Sequence, residues 1–458
     1  MRHGLWAAGL AVGLAACAGA PAADAPAEDA PSEPARPALA QPTVVLVVLD
    51  TVRADHLSLC GYTRPTSPVL DAFAAGPATA HTCRAYAPGS WTVPSHASFF
   101  TGLAVDVHGA HMVRDGLDIG RGWLSMRPLD GAAPTLAEDM VARGYQSVLV
   151  SANPVVGPLS GLARGFGTVS VAAHFGALRG QDMQDRLATV LAEDVDPARP
   201  LFLVVNLTEA HDPVTNPPAD HPWYTPADHP ERRAMRARVR DASLWRHPDR
   251  AAAVRWFTDM YDVGVQGADA TLGLVLGTLT ETGWLAGAHR ITVTADHGEH
   301  LGGHGFFGHG GDTLEPNTRV VLVHRQVPEG PPALPTPFPG LAVYDLVRDG
   351  ALPDPLPPVE ALALPWREKA EKLAGQTAVH ADGALWEAQT KHRTLGGVHT
   401  VVDLADDPLE QAGTAPSTAA AAQLAALDVR LESAAARSVE LDPELVEMLQ
   451  AAGYMAAD

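Results

Sequence analysis

The sequence predicts an α/β protein: a large domain built on a mostly parallel sheet flanked by helices, followed by a smaller domain. Three observations predict it. Thr43–Leu49 (TVVLVVL) and Leu201–Leu207 (LFLVVNL) are short apolar runs rich in β-branched residues. That is the pattern of strands buried on both faces of a parallel sheet. Helix-patterned segments fall between the strand-like ones, as residues 135–143 do ahead of Gln146–Ser151. Finally, 458 residues exceed one typical domain.

The chain opens MRHGLWAAGLAVGLAACAGA, with Arg2 before an apolar run too short for a stable membrane span. It reads as a secretory signal. Leu14-Ala15-Ala16-Cys17 resembles the lipobox of bacterial lipoproteins, in which the cysteine is lipidated after cleavage; the alternative is a plain secretory signal with a chance cysteine. Residues 1–17 are therefore expected to be a lipoprotein signal peptide and Cys17 the lipid anchor. Residues 18–41 are rich in Ala, Pro, Asp and Glu without apolar periodicity, as in a disordered acidic tether. The expectation is an exported protein, lipid-anchored in the bacterial cell envelope on its periplasmic or outer-membrane face. The fold then starts at Pro42.

Thr43–Leu49 stops abruptly at Asp50. A carboxylate at a strand's carboxyl end sits where open α/β sheets place their ligand crevice, which makes Asp50 a candidate metal ligand; a turn-forming Asp is the alternative. A Pro-broken segment and a short helical stretch at 70–75 follow. In AYAPGSWTVPSHASFFTG, residues 95–103 fit a helix with Pro94 in its first turn. Thr92 would then lie just ahead of a helix N-terminus, a ready anion site, and a metal-bound hydroxyl held there is a credible nucleophile. An N-cap threonine is the simpler reading.

Past Leu201–Leu207 comes Thr208-Glu209-Ala210-His211-Asp212, with His211 again near the crevice. Residues 217–230 form a Pro/His loop, and residues 232–282 read as mostly helical. Val254, Phe257, Met260, Tyr261, Val265 and Leu272 recur there at helical spacing, as core. Then ITVTADHGEHLGGHGFFGHGGD ends a strand on Asp296 and His297. It packs His300, His304, His309 and Glu299 among glycines. Such density of Asp and His at a strand end signals a metal site. Residues 319–324 read as a strand and residues 328–358 as Pro-rich and patternless. A helical piece at 365–373, strand-like pieces at 378–380 and 398–404, and an Ala-rich helix at 419–437 complete the chain.

The net charge of −21 excludes a basic nucleic-acid face, so no nucleic acid is expected as a partner. The only lysines are Lys369, Lys372 and Lys391, and Cys17, Cys60 and Cys83 lack zinc-site spacing. If export consumes Cys17, Cys60 and Cys83 remain as an even pair, either disulfide-bonded or as two buried thiols.

Five blocks in order, LDTVRADHLSLCGY, WTVPSHASFFTG, NLTEAHDP, TADHGEHLGGHGFFGHG and VVDLADDPLEQ, resemble the sulfatase family of the alkaline phosphatase superfamily. The resemblance implies a large mixed sheet flanked by helices over residues 42–355 and a small C-terminal antiparallel sheet with a helix over residues 356–458. It implies Asp50, Asp296 and His297 as metal ligands. It also implies Thr92 as the nucleophile that touches the metal, His211 and His309 against the anionic group of the substrate, and Arg53 as a polar support. His96 stands where the family's motif has arginine. True sulfatases convert a Cys or Ser to formylglycine, and threonine cannot yield that aldehyde by the same route, so no formylglycine is expected. Thr51 replaces a second acid, His297 stands where many sulfatases have Asn, and no lysine precedes Lys369. These departures point to the threonine-using branch that acts on phosphate-type esters.

The expected chemistry is attack by Thr92 on phosphorus beside one divalent cation, Mn, Zn or Mg in preference to Ca, giving a covalent threonine intermediate. An anionic ester is the expected substrate. A sulfate-ester hydrolase lacking formylglycine is the alternative, and a catalytically inactive lipid-anchored binding protein is the alternative from another class. Residues 106–127 and 213–247, which would shape the pocket, carry no readable substrate code.

Overall fold

A computed structural model describes residues 41–118, 125–131, 133–212, 221–223, 250–305, 307–364, 381–395 and 397–435. The signal-like segment with Cys17, the tether to residue 40, most of the 217–230 loop, residues 232–249 and the pieces expected at 365–373 and 378–380 lie outside the described residues.

The central sheet has eight strands in the order Phe338–Pro339, Thr79–Tyr86, Arg319–Val327, His289–Thr294, Thr43–Leu49, Leu201–Leu207, Gln146–Ser151 and Thr168–Val171. Arg319–Val327 is antiparallel to both its neighbours, and every other pairing is parallel. The sheet is therefore mixed and mostly parallel. All seven residues of Thr43–Leu49 are buried, because a strand in the middle of such a sheet has no solvent face. Burying each of its valines and leucines contributes roughly 1.5–3 kcal/mol.

Arg250–Glu281 is one long helix. It buries Met260, Tyr261, Val265 and Leu272 as the spacing predicts, with Val254 and Phe257 half-buried. Leu136–Ala142 starts at a capping box, in which Thr135 Oγ1 accepts from Glu138 N and Glu138 accepts from Thr135 N.

Three elements depart from expectation. The helix expected at 95–103 runs Thr92–Thr101, because extended Trp91 takes the N-cap and Pro94 still falls within the first turn, whose N–H groups need no partner. Thr79–Tyr86, half polar in sequence, is a strand. The Pro-rich stretch holds the helix Val343–Asp349, whose Val343, Leu346 and Val347 are buried.

A second sheet, Glu360–Ala363, Asp382–Glu387, Thr390–Leu395 and Val398–Asp403, is antiparallel throughout. The helix Thr418–Ala435 buries Leu424, Leu427 and Leu431 in a cluster with Leu362. It comes so close that a Cβ on Gly383 would lie 2.7 Å from Leu427 Cδ2. Arg430 on this helix grips Asp106 (2.7 and 2.9 Å) and Glu360 (2.8 and 2.9 Å), tying the second sheet to the helix Val105–His108. Cys60 and Cys83 are disulfide-bonded, joining the segment after the first strand to Thr79–Tyr86.

Candidate active site

Three parallel neighbours, Leu201–Leu207, Thr43–Leu49 and His289–Thr294, end side by side. Asp50 follows the middle one; Asp296 and His297 follow the last. One donor atom from each of Asp50, Asp296 and His297 lies within 4.8 Å of the others, and all three residues are fully buried. His297 Nε2 is 3.4 Å from Asp296 Oδ2 and 3.9 Å from Asp50 Oδ1. Thr92 Oγ1, at the first turn of its helix, lies 3.4 Å from the same nitrogen. Sheet topology thus brings together four residues that sequence spreads over more than two hundred positions.

Each ligand candidate is held by its far side. Asn153 Nδ2 donates to Asp50 Oδ2 at 2.7 Å. Asp296 Oδ1 accepts from Thr51 N at 3.2 Å and His297 N at 3.0 Å. His297 Nδ1 donates to the Gly298 carbonyl at 2.9 Å, which leaves Nε2 as the lone-pair end facing the cluster. Gly298 is required sterically, since a Cβ there would lie 2.0 Å from the Pro316 carbonyl oxygen. Thr51 reaches Asp296 by taking φ 62°, a left-handed conformation that costs a β-branched residue about 1–3 kcal/mol. Tyr261, from the long helix, secures it: its hydroxyl donates to Thr51 O at 2.6 Å and accepts from Arg53 N at 2.8 Å.

What remains after these bonds points inward. Asp50 Oδ1 and Asp296 Oδ2 are buried and have no hydrogen-bond partner among the described residues. Burial and the neighbouring Asp50 charge push the Asp296 carboxyl well above its usual range. Burial pushes Asp50 up too, but the His211 and His297 imidazoles and the Asn153 bond hold it below. Two buried carboxylates this close ionise together only with a cation between them. The donors present, two carboxylate oxygens, one imidazole nitrogen and a hydroxyl, fit a divalent metal ion. Among the described residues this is the one such cluster.

His211 and His309 lie beside this cluster. The His309 ring centroid is 4.4 Å from that of His297 and 5.2 Å from that of His211. His211 stacks on Phe175 at 4.5 Å and donates from Nδ1 to the Asp212 carbonyl at 2.6 Å. His309 Nδ1 pairs with Glu299 Oε2 at 3.1 Å, and burial pushes the Glu299 carboxyl up to about 8. His96 lies beneath. Its Nδ1 is 3.0 Å from the Thr92 carbonyl oxygen and 3.4 Å from Asp296 Oδ2, and burial lowers it to about 4. Arg53 supports from outside: it binds Asp55 through Nε and Nη2 and donates from Nη1 to the Glu299 carbonyl at 3.0 Å.

Not all of the histidine-rich stretch belongs here. His300 pairs with Asp312 at 2.9 Å, and His304 bonds the Leu409 carbonyl. Sequence reading overlooked Asn153, Thr51 as a donor, Phe175 and the pairing of Glu299 with His309. Asn153 offered one signal, its place two residues past the buried strand Gln146–Ser151, next in the sheet to Leu201–Leu207.

A family model described as Sulfatase matches residues 42–332. The phosphonate monoester hydrolase of Agrobacterium radiobacter is 19% identical, with TM-score 0.59 over 86% of this chain and 95% of that one. A protein solved in complex with its substrate D-glucosamine-2-N,6-O-disulfate is 15% identical, with TM-score 0.60 over 86% and 97%. A putative sulfatase from Bacteroides thetaiotaomicron is 16% identical, with TM-score 0.59 over 88% and 96%. At these identities the likeness is one of fold. No curated protein matches.

Proposed function

The chain belongs to the sulfatase family of the alkaline phosphatase superfamily, and from that premise we propose that it cleaves or transfers a phosphate-type ester through a covalent intermediate on Thr92. The observation that carries this reading is the Thr92 hydroxyl itself. It lies at a helix N-terminus, 3.4 Å from His297 Nε2, in the cluster where Asp50 Oδ1 and Asp296 Oδ2 have no hydrogen-bond partner among the described residues. A divalent cation held by Asp50, Asp296, His297 and Thr92, with Mn, Zn or Mg preferred to Ca for this mixed O/N set, would acidify that hydroxyl and offset charge on the ester oxygens.

The chain's own residues do the rest. Thr92 Oγ attacks phosphorus in line, the P–O bond to the leaving alcohol breaks, and the phosphoryl group stays on Thr92. The first-turn N–H groups of Thr92–Thr101 face the transferred group with the positive end of the helix dipole. His211 and His309 bind its oxygens and handle the leaving group's proton. Water or a second alcohol then attacks phosphorus and releases Thr92. Phosphate chemistry is preferred because a sulfate left on a threonine alkoxide lacks the elimination route open to an aldehyde hydrate. Fold relatives that act on sulfated sugar keep the sulfate-ester reading as the rival. Leu14-Ala15-Ala16-Cys17 supports placing the enzyme outside the cell membrane, anchored by lipid on Cys17.

The test is a panel of aryl phosphate monoester, phosphodiester, phosphonate ester and sulfate ester, assayed with Mn, Zn, Mg and Ca. Phosphorus esters are expected to lead. A leading sulfate ester would install the rival, and silence across the panel would favour a binding protein. Thr92→Ala is expected to cost about 1,000-fold or more in kcat, as loss of a covalent nucleophile does. A phosphorylated peptide containing Thr92 is expected in quenched turnover. Activity within a few-fold of the parent would mean another nucleophile.

A further inference from the structure

His211 and His309 lie side by side, ring centroids 5.2 Å apart, but are held differently. His211 Nδ1 is bound by the carbonyl of the next residue, Asp212, a partner any residue there would supply. His309 Nδ1 is bound by a side chain, the carboxylate of Glu299, at 3.1 Å. The fold builds this pair deliberately. His300–Leu301 and Phe307–Gly308 form a two-stranded antiparallel ribbon in which Gly308 lies opposite His300. The next step along the ladder sets His309 opposite Glu299, on one face of the ribbon, where cross-strand side chains meet.

Glu299 is itself fixed. It is 2% exposed, and Arg53 Nη1 holds its carbonyl at 3.0 Å while Asp55 holds the same guanidinium. Its Oε2 is spent on His309, and its Oε1 has no hydrogen-bond partner among the described residues. Gly308 and Gly310, at φ 93° and 89°, flank His309, so its backbone is held by turn geometry and its ring by Glu299. An imidazole bound at Nδ1 by a carboxylate has its ring plane and tautomer set, which fixes what Nε2 presents.

We propose that Glu299 is the positioning residue for His309: its carboxylate holds Nδ1 and so aims Nε2 at the ester group bound beside Thr92 and His297. The proposal rests on the reading that His309 contacts that group. Glu299 touches neither substrate nor metal ion; it acts through His309 alone.

The experiment is a double-mutant cycle on the full-length, metal-loaded enzyme with the best ester of the panel. Glu299→Ala is expected to lower kcat about 10–100-fold, the usual cost of losing a partner that orients a functional histidine. KM and metal content by elemental analysis should stay within about twofold of the parent. Glu299→Gln, whose amide oxygen accepts the same bond, should recover most of kcat. In the His309→Ala background, Glu299→Ala should add less than about twofold, because residues acting as one unit are not additive. Additive losses, or metal lost from Glu299→Ala, would overturn the proposal. If Glu299→Ala does not fold, the same cycle with Glu299→Asp, which keeps the carboxyl group but withdraws it from Nδ1, decides by the same criteria. If His309→Ala leaves kcat untouched, His309 does not contact the ester and both statements about it fall. If His309→Ala matters but no coupling appears, only the positioning role falls.

Discussion

The floor and the wall of the crevice are built on different plans. The floor, Asp50, Asp296 and His297, has no exposed surface. It hangs from two adjacent strand ends and is braced by side chains from elsewhere in the sheet and by the strained Thr51 backbone. In the wall, His211 is buried but the His309 side chain is 20% exposed, and their Nδ1 atoms bond within their own loop and ribbon, to the Asp212 carbonyl and to Glu299. A floor set by a parallel sheet can oppose two carboxylates at fixed separation, where a cation repays the cost of burial. A wall set by local turns can change its side chains without disturbing that geometry.

Substitutions should therefore sort by readout, and the sharpest break would come from the floor. Asp296→Asn keeps the shape but removes one of the two carboxylates proposed to hold the cation. Metal affinity is expected to fall by about 100-fold or more, beyond the loss seen for outer-shell partners. Unchanged metal content by elemental analysis would refute the ligand assignment and erase the distinction between floor and wall.

Asn153→Ala should come next, with about tenfold weaker metal binding by titration, since it frees Asp50 Oδ2 and lets the carboxylate rotate. A fall in kcat with metal affinity intact would instead move Asn153 into the wall. A further test, read in stability and not in metal binding, probes burial away from both. His108 is buried, its Nδ1 accepts from Ala110 N, and burial lowers it from 6.5 to about 3. The unfolded chain takes up that proton near pH 6.5 and the folded one only near pH 3. The stability this neutral histidine contributes is thus full above pH 6.5 and lost as pH falls towards 3. At roughly 1.4 kcal/mol per pH unit between the two values, the effect is about 5 kcal/mol at most. His108→Asn should flatten the fall in melting temperature between pH 7 and 4; an unaltered slope would place the acid lability elsewhere.

The floor was legible in sequence and the bracing was not, for a physical reason. TVVLVVLD and ITVTADH each announce a buried strand that ends on a charge, and burial of a charge is a conspicuous expense. Asn153 closes an ordinary turn in sequence; only the neighbouring strand sets it against Asp50. Thr79–Tyr86 reads TAHTCRAY, too polar for a core strand, yet it lies between the reversed strand Arg319–Val327 and the short edge strand Phe338–Pro339, where half of its side chains need no burial. Val343–Asp349 is two turns long between prolines, below the length at which periodicity can be told from chance. Thr92 was placed three residues ahead of its helix because Pro94 marks a first turn without saying which residue opens it.

Arg430 is separated from Asp106 by 324 positions along the chain. A polypeptide emerging from the ribosome would expose Asp106 and Glu360 long before their shared cation is synthesised. For that interval two acids must wait in water with the surface they will later cover still bare. The helix Thr418–Ala435 then docks as a latch, closing the contact with Asp106 and Glu360 after the central sheet has been synthesised.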